Sequence, residues 1–170
     1  TLELLKKLMR DKANSYLILS VEYGNSGLWD EAIEMVERLI NMGKDDNSTY
    51  PLLYYYAGYG YEQKGDQNSA GKYYKLAIQM PVDYCFPFQL EMVHVLKAAM
   101  NYNPNDEKAP YYLGNLLYDF QPEIAIKEWE KSKDLGATFA TVYRNLGVGF
   151  NMTYNDLKKS MTFYEKAVEL

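Results

Sequence analysis

Histidine and cysteine are almost missing from this chain: His94 and Cys85 stand alone among 170 residues. A two-histidine metal site and a histidine-rich catalytic centre therefore cannot be assembled within it. One cysteine makes no internal disulfide, so no disulfide framework holds the fold. Basic charge is also scarce. Against 23 Asp and Glu there are 18 Lys and Arg, a formal charge of -5, which disfavours broad attraction to nucleic acid or to an anionic membrane surface. The longest purely nonpolar stretches, such as residues 17–19, fall far short of the ~20 residues that span a bilayer, and no membrane insertion is expected. The sequence starts at Thr1 without a basic and apolar leader, and Leu170 falls within a helical pattern, so it reads as a fragment of a longer chain whose targeting information is not in view. The compartment stays open, the cytoplasm being slightly favoured.

What is present is an ordinary globular composition, 48% hydrophobic and 24% charged, with one unusual number. Tyrosine occurs 18 times, five of them within residues 54–61. Apolar residues recur at three and four spacings, as in Ala32, Val36, Leu39 and Ile40, while period-two alternation is hard to find. The chain is expected to be all helical, in ten helix-like segments beginning with residues 2–9. Turn clusters at 24–27, 43–48, 65–66, 81, 103–104, 121–122, 136 and 153–155 divide them.

The segments copy one another. Tyr16, Leu19, Ser20, Tyr23, Gly27, Ala32, Val36 and Leu39 repeat at an offset of 38 as Tyr54, Ala57, Gly58, Tyr61, Gly65, Ala70, Tyr74 and Ala77. That offset is a 34-residue period plus four residues, placed at 46–49. A third copy reads Leu113, Gly114, Leu117, Ala125 and Trp129, and a fourth Leu146, Gly147, Phe150, Ser160, Tyr164 and Ala167. On these residues the chain resembles the tetratricopeptide repeat (TPR) family over residues 12–170, with one irregular zone. The resemblance implies an all-α, right-handed solenoid of antiparallel helix pairs, helix A then helix B. The expected divisions of a single domain over 1–170 are 1–11 (second helix of a preceding repeat), 12–46, 51–80, a degenerate half-repeat 81–104, 105–136 and a truncated 137–170. Small residues such as Gly58, Gly114, Gly147, Ala32, Ala70 and Ala125 should let the paired helices approach closely.

Residues 81–104 break the pattern. Leu96, Ala99 and Pro104 copy the end of a helix B, yet residues 81–88, with Pro81 and Pro87, replace the helix A before it. Eight extended residues reach about 26 Å, comparable with a helix of 14 residues at about 21 Å. An extended strap crossing the array is therefore expected, with no regular helix through residues 83–87. Residues 83–87, 112–119 and 144–147 also look similar to the repeat region of large bacterial multidomain proteins. In those, β-rich domains suspected of carbohydrate-related function precede the repeats.

No catalytic set emerges. His94 between Val93 and Val95 reads as a packed or half-exposed helix residue, and Cys85 with His94 lacks an orienting third group. Gly58, Gly60 and Gly65 do not follow a strand, so helix packing explains them better than a phosphate loop. Asp45 with Asp46, and Glu128 with Glu130, belong to a turn and a charged helix face. The glycosylation sequons at 47–49 and 151–153 are too common a pattern to use. No metal or other cofactor is expected, and no enzyme.

In TPR proteins the concave face of helices A often binds an extended peptide or a partner helix. The resemblance, with helical spacing, puts the residues three before, one after and four after each core glycine on that face. These are Tyr55, Tyr59 and Glu62, then Tyr111, Asn115 and Tyr118, then Arg144, Val148 and Asn151; the first copy offers Leu17, Val21 and Gly24. Tyr supplies large contact area and a hydroxyl at low entropy cost, and Tyr and Arg are enriched in binding hot spots. Packing against the 81–88 strap is the rival role for this set. Some TPR proteins grip a C-terminal carboxylate with a Lys and Arg clamp beside Asn. Here Asn115 and Arg144 are suitably placed, but Leu17, Tyr55 and Tyr111 stand where Lys would be needed. The expected function is a noncatalytic scaffold for a protein, a peptide or a neighbouring domain of the same chain. The alternative is an accessory domain of a carbohydrate-active enzyme that contributes to glycan binding, weakened because Trp29 and Trp129 align with helices B.

Overall fold

The computed structural model describes residues 4, 7, 9, 12–42 and 49–170. Among them are nine helices and no strand: α1 (Ala13–Asn25), α2 (Trp29–Met42), α3 (Pro51–Gln63), α4 (Gln67–Gln79), α5 (Met92–Tyr102), α6 (Lys108–Leu117), α7 (Pro122–Asp134), α8 (Ala140–Met152) and α9 (Leu157–Glu169). Of the expected first helix over 2–9 and of segment 1–11 only residues 4, 7 and 9 are described, and the turn at 43–48 lies outside the described residues. The chain forms two compact units, Thr1–Cys85 and Phe86–Leu170, parting within the segment expected to be a strap. In the first, α1 packs on α2, α2 on α3 and α3 on α4; in the second, successive helices from α5 to α9 pack pairwise. This all-α architecture of consecutive helix pairs is TPR-type.

Local chemistry explains the helix starts. Pro51 and Pro122 occupy first-turn positions, where a missing N–H costs nothing. Asp66 and Asp156 cap α4 and α9 by accepting the backbone N–H of Ser69 at 3.1 Å and Lys159 at 3.0 Å. The buried Asp106 carboxylate accepts from the N–H groups of Lys108 and Ala109, at 2.9 and 3.0 Å, at the start of α6. Three of the A-to-B turns, α1–α2, α3–α4 and α8–α9, share a left-handed residue. Gly27 and Gly65 have φ of 77° and 81°, and Asn155 takes the same place at 54°.

The repeat register rests on glycine against aromatic. A Cβ on Gly58 would lie 2.7 Å from the Tyr74 ring, one on Gly147 2.6 Å from Tyr164, and one on Gly114 would collide with Trp129. Each of these glycines opposes the aromatic of its own helix B, as the sequence alignment requires. A second glycine, two residues later, serves the preceding repeat. A Cβ on Gly60 would lie 2.8 Å from Ile33, and one on Gly149 2.6 Å from Ile126. The Gly-x-Gly pairs in α3 and α8 are thus double notches, one for each neighbouring helix B, and not phosphate-binding turns. Ser20 takes the glycine place in α1, fully buried and donating from Oγ to the Ala32 carbonyl.

The 81–88 segment departs in part from the expected strap. No helix runs through 83–87, but the backbone turns at Asp83 and Tyr84, where Tyr84 has φ of 56°. From 84 to 88 exposure alternates, Cys85 and Pro87 being buried and Tyr84, Phe86 and Phe88 exposed, the period of extended chain. The turn passes through Tyr84 in the left-handed region, uncommon for a residue other than glycine, and leaves the extended run to the residues after it.

Candidate functional site

The face residues predicted from sequence do not share one environment. Tyr55 and Tyr111 are core: Tyr55 is completely buried and Tyr111 is 4% exposed, edge-on to the Phe139 ring at 4.8 Å. Leu17, at the same register position, is also buried, so the place three residues before the core glycine (Ser20 in α1) is a packing position in three copies. Burying a large apolar surface there outweighs displaying it. This corrects the expectation for Tyr55 and Tyr111; the fourth copy differs, because Arg144 is exposed.

In the first unit, Tyr59 and Glu62 are half-buried and already engaged. Tyr59 sits edge-on to Trp29 at 5.8 Å. The Glu62 carboxylate accepts the Tyr74 hydroxyl at 2.7 Å, and burial, followed by that carboxylate, raises the Tyr74 pKa. In the second unit, Asn115 Oδ1 accepts from Trp129 Nε1 at 3.0 Å and from Asn145 Nδ2 at 2.8 Å, tying α6 to α7 and α8. Tyr118 packs on Trp129 with ring centroids 5.0 Å apart. Around this lattice Asn115, Tyr118, Val148 and Asn151 are half-buried. Arg144 makes no ion pair among the described residues. The second unit therefore presents an amide-rich helix A surface on which Arg144 is an exposed cation.

Sequence reasoning missed a tyrosine cluster in the first unit. Glu37 Oε1 accepts the hydroxyls of Tyr61 at 2.8 Å and Tyr73 at 2.5 Å, and these rings stack at 5.5 Å. The three residues come from three helices, and no local spacing signals the meeting. Burial first, then the Glu37 hydrogen bond, pushes the Tyr61 phenol up to about 12 and raises Tyr73 as well. A raised folded pKa means that the native state holds the proton more tightly than the unfolded chain. The contribution to stability is complete below pH ~10, the ordinary tyrosine value, and is lost as pH rises through about 12. Denaturant midpoints should fall over that window, and Glu37→Gln should weaken the fall; an unchanged pH dependence in the variant would contradict the assignment.

The remaining candidates bring no reacting set together. Cys85 is buried and His94 is exposed on α5. Glu128 is half-buried, its carboxyl raised by burial, and the described residues contain no group of three His, Cys, Asp or Glu able to hold a metal. No described helix is long and apolar enough to cross a membrane. Asp45 and Asp46 lie outside the described residues. A cleft of about 670 Å³ in the first unit opens at the starts of α1 and α3 beside Asp83 and Tyr84, with Lys12 and Asp83 as its charged residues.

No family model matches the chain, and no curated protein matches it. Among solved structures it is similar to a crystal structure of MamA, with a TM-score of 0.44 and 21% identity, covering 98% of this chain and 82% of that one. A MamA from Desulfovibrio magneticus RS-1, residues 41 to the end, gives 0.42 and 22% identity over 95% and 96% of the two chains. YrrB, described as a TPR protein with an unusual peptide-binding site, gives 0.41 and 15% identity over 97% and 89%. Scores at this level leave the TPR-type architecture to rest on the glycine-notched helix pairs themselves.

Proposed function

We propose that the chain is a noncatalytic scaffold that binds a protein or peptide segment, and that the second unit carries the recognition surface on α6 and α8. The observation that carries this reading is the surface-exposed Arg144, with Val148 and Asn151 following on the same face of α8 and the Asn115 lattice holding α6 beside α7 and α8. Asn115 and Asn151 supply hydrogen-bonding side chains, Tyr118 supplies ring area and Arg144 a cation, which together suit an extended segment bearing a carboxylate. In the first unit Tyr59 and Glu62 are a secondary contact surface. The partner is a separate protein or, following the narrower sequence resemblance, a neighbouring domain of the same polypeptide. Glycan stacking has no comparable support, since Trp129 is 3% exposed and Trp29 packs on Tyr59.

Selection of displayed 12-residue peptides on the intact chain tests this reading. Selected peptides should contain an acidic residue and lose at least tenfold in affinity on Arg144→Glu, a surface change that leaves the helical circular dichroism intact. Peptides that bind the variant as tightly as the parent would overturn it.

A further inference from the structure

Tyr61, Tyr73 and Glu37 form a site whose chemistry differs from that of the peptide surface on α6 and α8. Glu37 Oε1 accepts both phenols, at 2.8 and 2.5 Å, and Glu37 enters no ion pair among the described residues. A carboxylate at that range can take a phenolic proton without any movement of the chain. At rest the proton stays on the phenols, which burial and the carboxylate hold protonated. Loss of an electron reverses the balance, because a phenol radical cation is a strong acid. A phenol in contact with a base therefore releases electron and proton together and avoids that high-energy cation.

The two phenols are not equivalent. Lys72 Nζ lies 5.6 Å from the centroid of the Tyr73 ring, a cation over the π face that opposes positive charge there. Tyr61 is half-buried, and the Asp30 and Asp66 carboxylates act on it in addition to Glu37, which favours loss of an electron. Its ring stacks on Tyr73 at 5.5 Å with 10° between the planes. Other oxidisable side chains lack one part of this arrangement. Tyr74 donates to Glu62 but is 1% exposed, and Cys85 and Trp129 are buried. Tyr84 is 90% exposed, yet its hydroxyl has no hydrogen-bond partner among the described residues, nor has Nε1 of the half-buried Trp29.

We infer that Tyr61 is the residue from which this chain gives an electron to a one-electron oxidant in solution, with Glu37 as the proton acceptor. The electron passes to the oxidant, the phenolic O–H bond breaks and a new O–H bond forms on Glu37. A neutral phenoxyl radical and a carboxylic acid remain. The oxidant is a diffusing radical or metal complex that takes an electron and no proton.

The probe is tris(bipyridine)ruthenium(III), generated by a light flash with a sacrificial cobalt(III) acceptor in the presence of the full 170-residue chain near neutral pH. Transient absorption follows reduction of the ruthenium, and mass mapping of the spin-trapped product locates the radical. The expected adduct is on Tyr61. The rate should fall roughly fivefold with Tyr61→Phe or Glu37→Gln, the other tyrosines setting the floor, and by about twofold in heavy water. Glu37→Asp, still a carboxylate, should recover part of the loss, while Tyr73→Phe and Tyr84→Phe should leave the rate within about twofold. Phe retains each ring, and helical circular dichroism checks the fold of every variant. If Glu37→Gln unfolds the first unit, the Tyr61→Phe rate, the adduct position and the heavy-water effect decide. An adduct centred on Tyr84 or Trp29, or a rate indifferent to Tyr61→Phe or to a folded Glu37→Gln, would overturn the inference. Arg144→Glu should leave the rate unchanged, so this outcome is independent of the peptide surface.

Discussion

Gly114→Ala should lower the stability of the second unit by about 1–3 kcal/mol, the usual cost of forcing an extra carbon into a packed contact. Helix propensity alone argues the opposite, since replacing glycine by alanine in a helix interior gains about 1 kcal/mol. Packing wins because the new Cβ would meet the buried Trp129 indole and lie 2.9 Å from the Ala125 backbone carbonyl, which cannot rotate away. Gly147 provides the contrast. Its Cβ would meet Tyr164, which is 36% exposed and can swing outward, so Gly147→Ala should cost less than 1 kcal/mol. Denaturant unfolding of both variants, followed by circular dichroism, checks the order; equal stabilities would contradict the notch assignment.

Trp129→Ala is expected to be the most damaging single substitution in the second unit, by about 3–5 kcal/mol. It empties the notch of Gly114, strips Tyr118 of its ring partner and removes the donor that Asn115 Oδ1 accepts. Trp129→Phe separates the contributions. It retains most of the ring but not the Nε1 donor, and should cost about 1–3 kcal/mol, the range for one lost hydrogen bond, Asn115 Oδ1 still accepting from Asn145 Nδ2, together with a small cavity. Melting profiles would reveal the difference, and a Phe variant as unstable as the Ala variant would mean that the hydrogen bond, not ring volume, dominates.

The glycines and aromatics explain why the repeats were legible and the site was less so. A close helix crossing needs a small residue opposite a large one at fixed spacing, so Gly58 with Tyr74, Gly114 with Trp129 and Gly147 with Tyr164 write the hairpins directly into the sequence. The second notch, Gly60 over Ile33 and Gly149 over Ile126, is visible as Gly-x-Gly but acquires meaning only with the preceding helix in place. Face membership is harder. Helical spacing puts Tyr55, Tyr111 and Arg144 at the same angle, while burial depends on what the neighbouring elements cover, so two became core and one stayed at the surface. The Tyr61, Tyr73 and Glu37 cluster joins three helices across two repeats and leaves no periodic trace. At Tyr84 a single left-handed residue turned a segment whose prolines and length had suggested uninterrupted extension.

On the reading proposed above, recognition falls to the helix A surface of the second unit, on α6 and α8. Backbone amide NMR of the intact chain, titrated with an acidic peptide selected on it, tests this most directly. Shifts should concentrate at Asn115, Tyr118, Arg144, Val148 and Asn151; shifts concentrated on the outer faces of α5 and α7, with these five residues unmoved, would place recognition elsewhere.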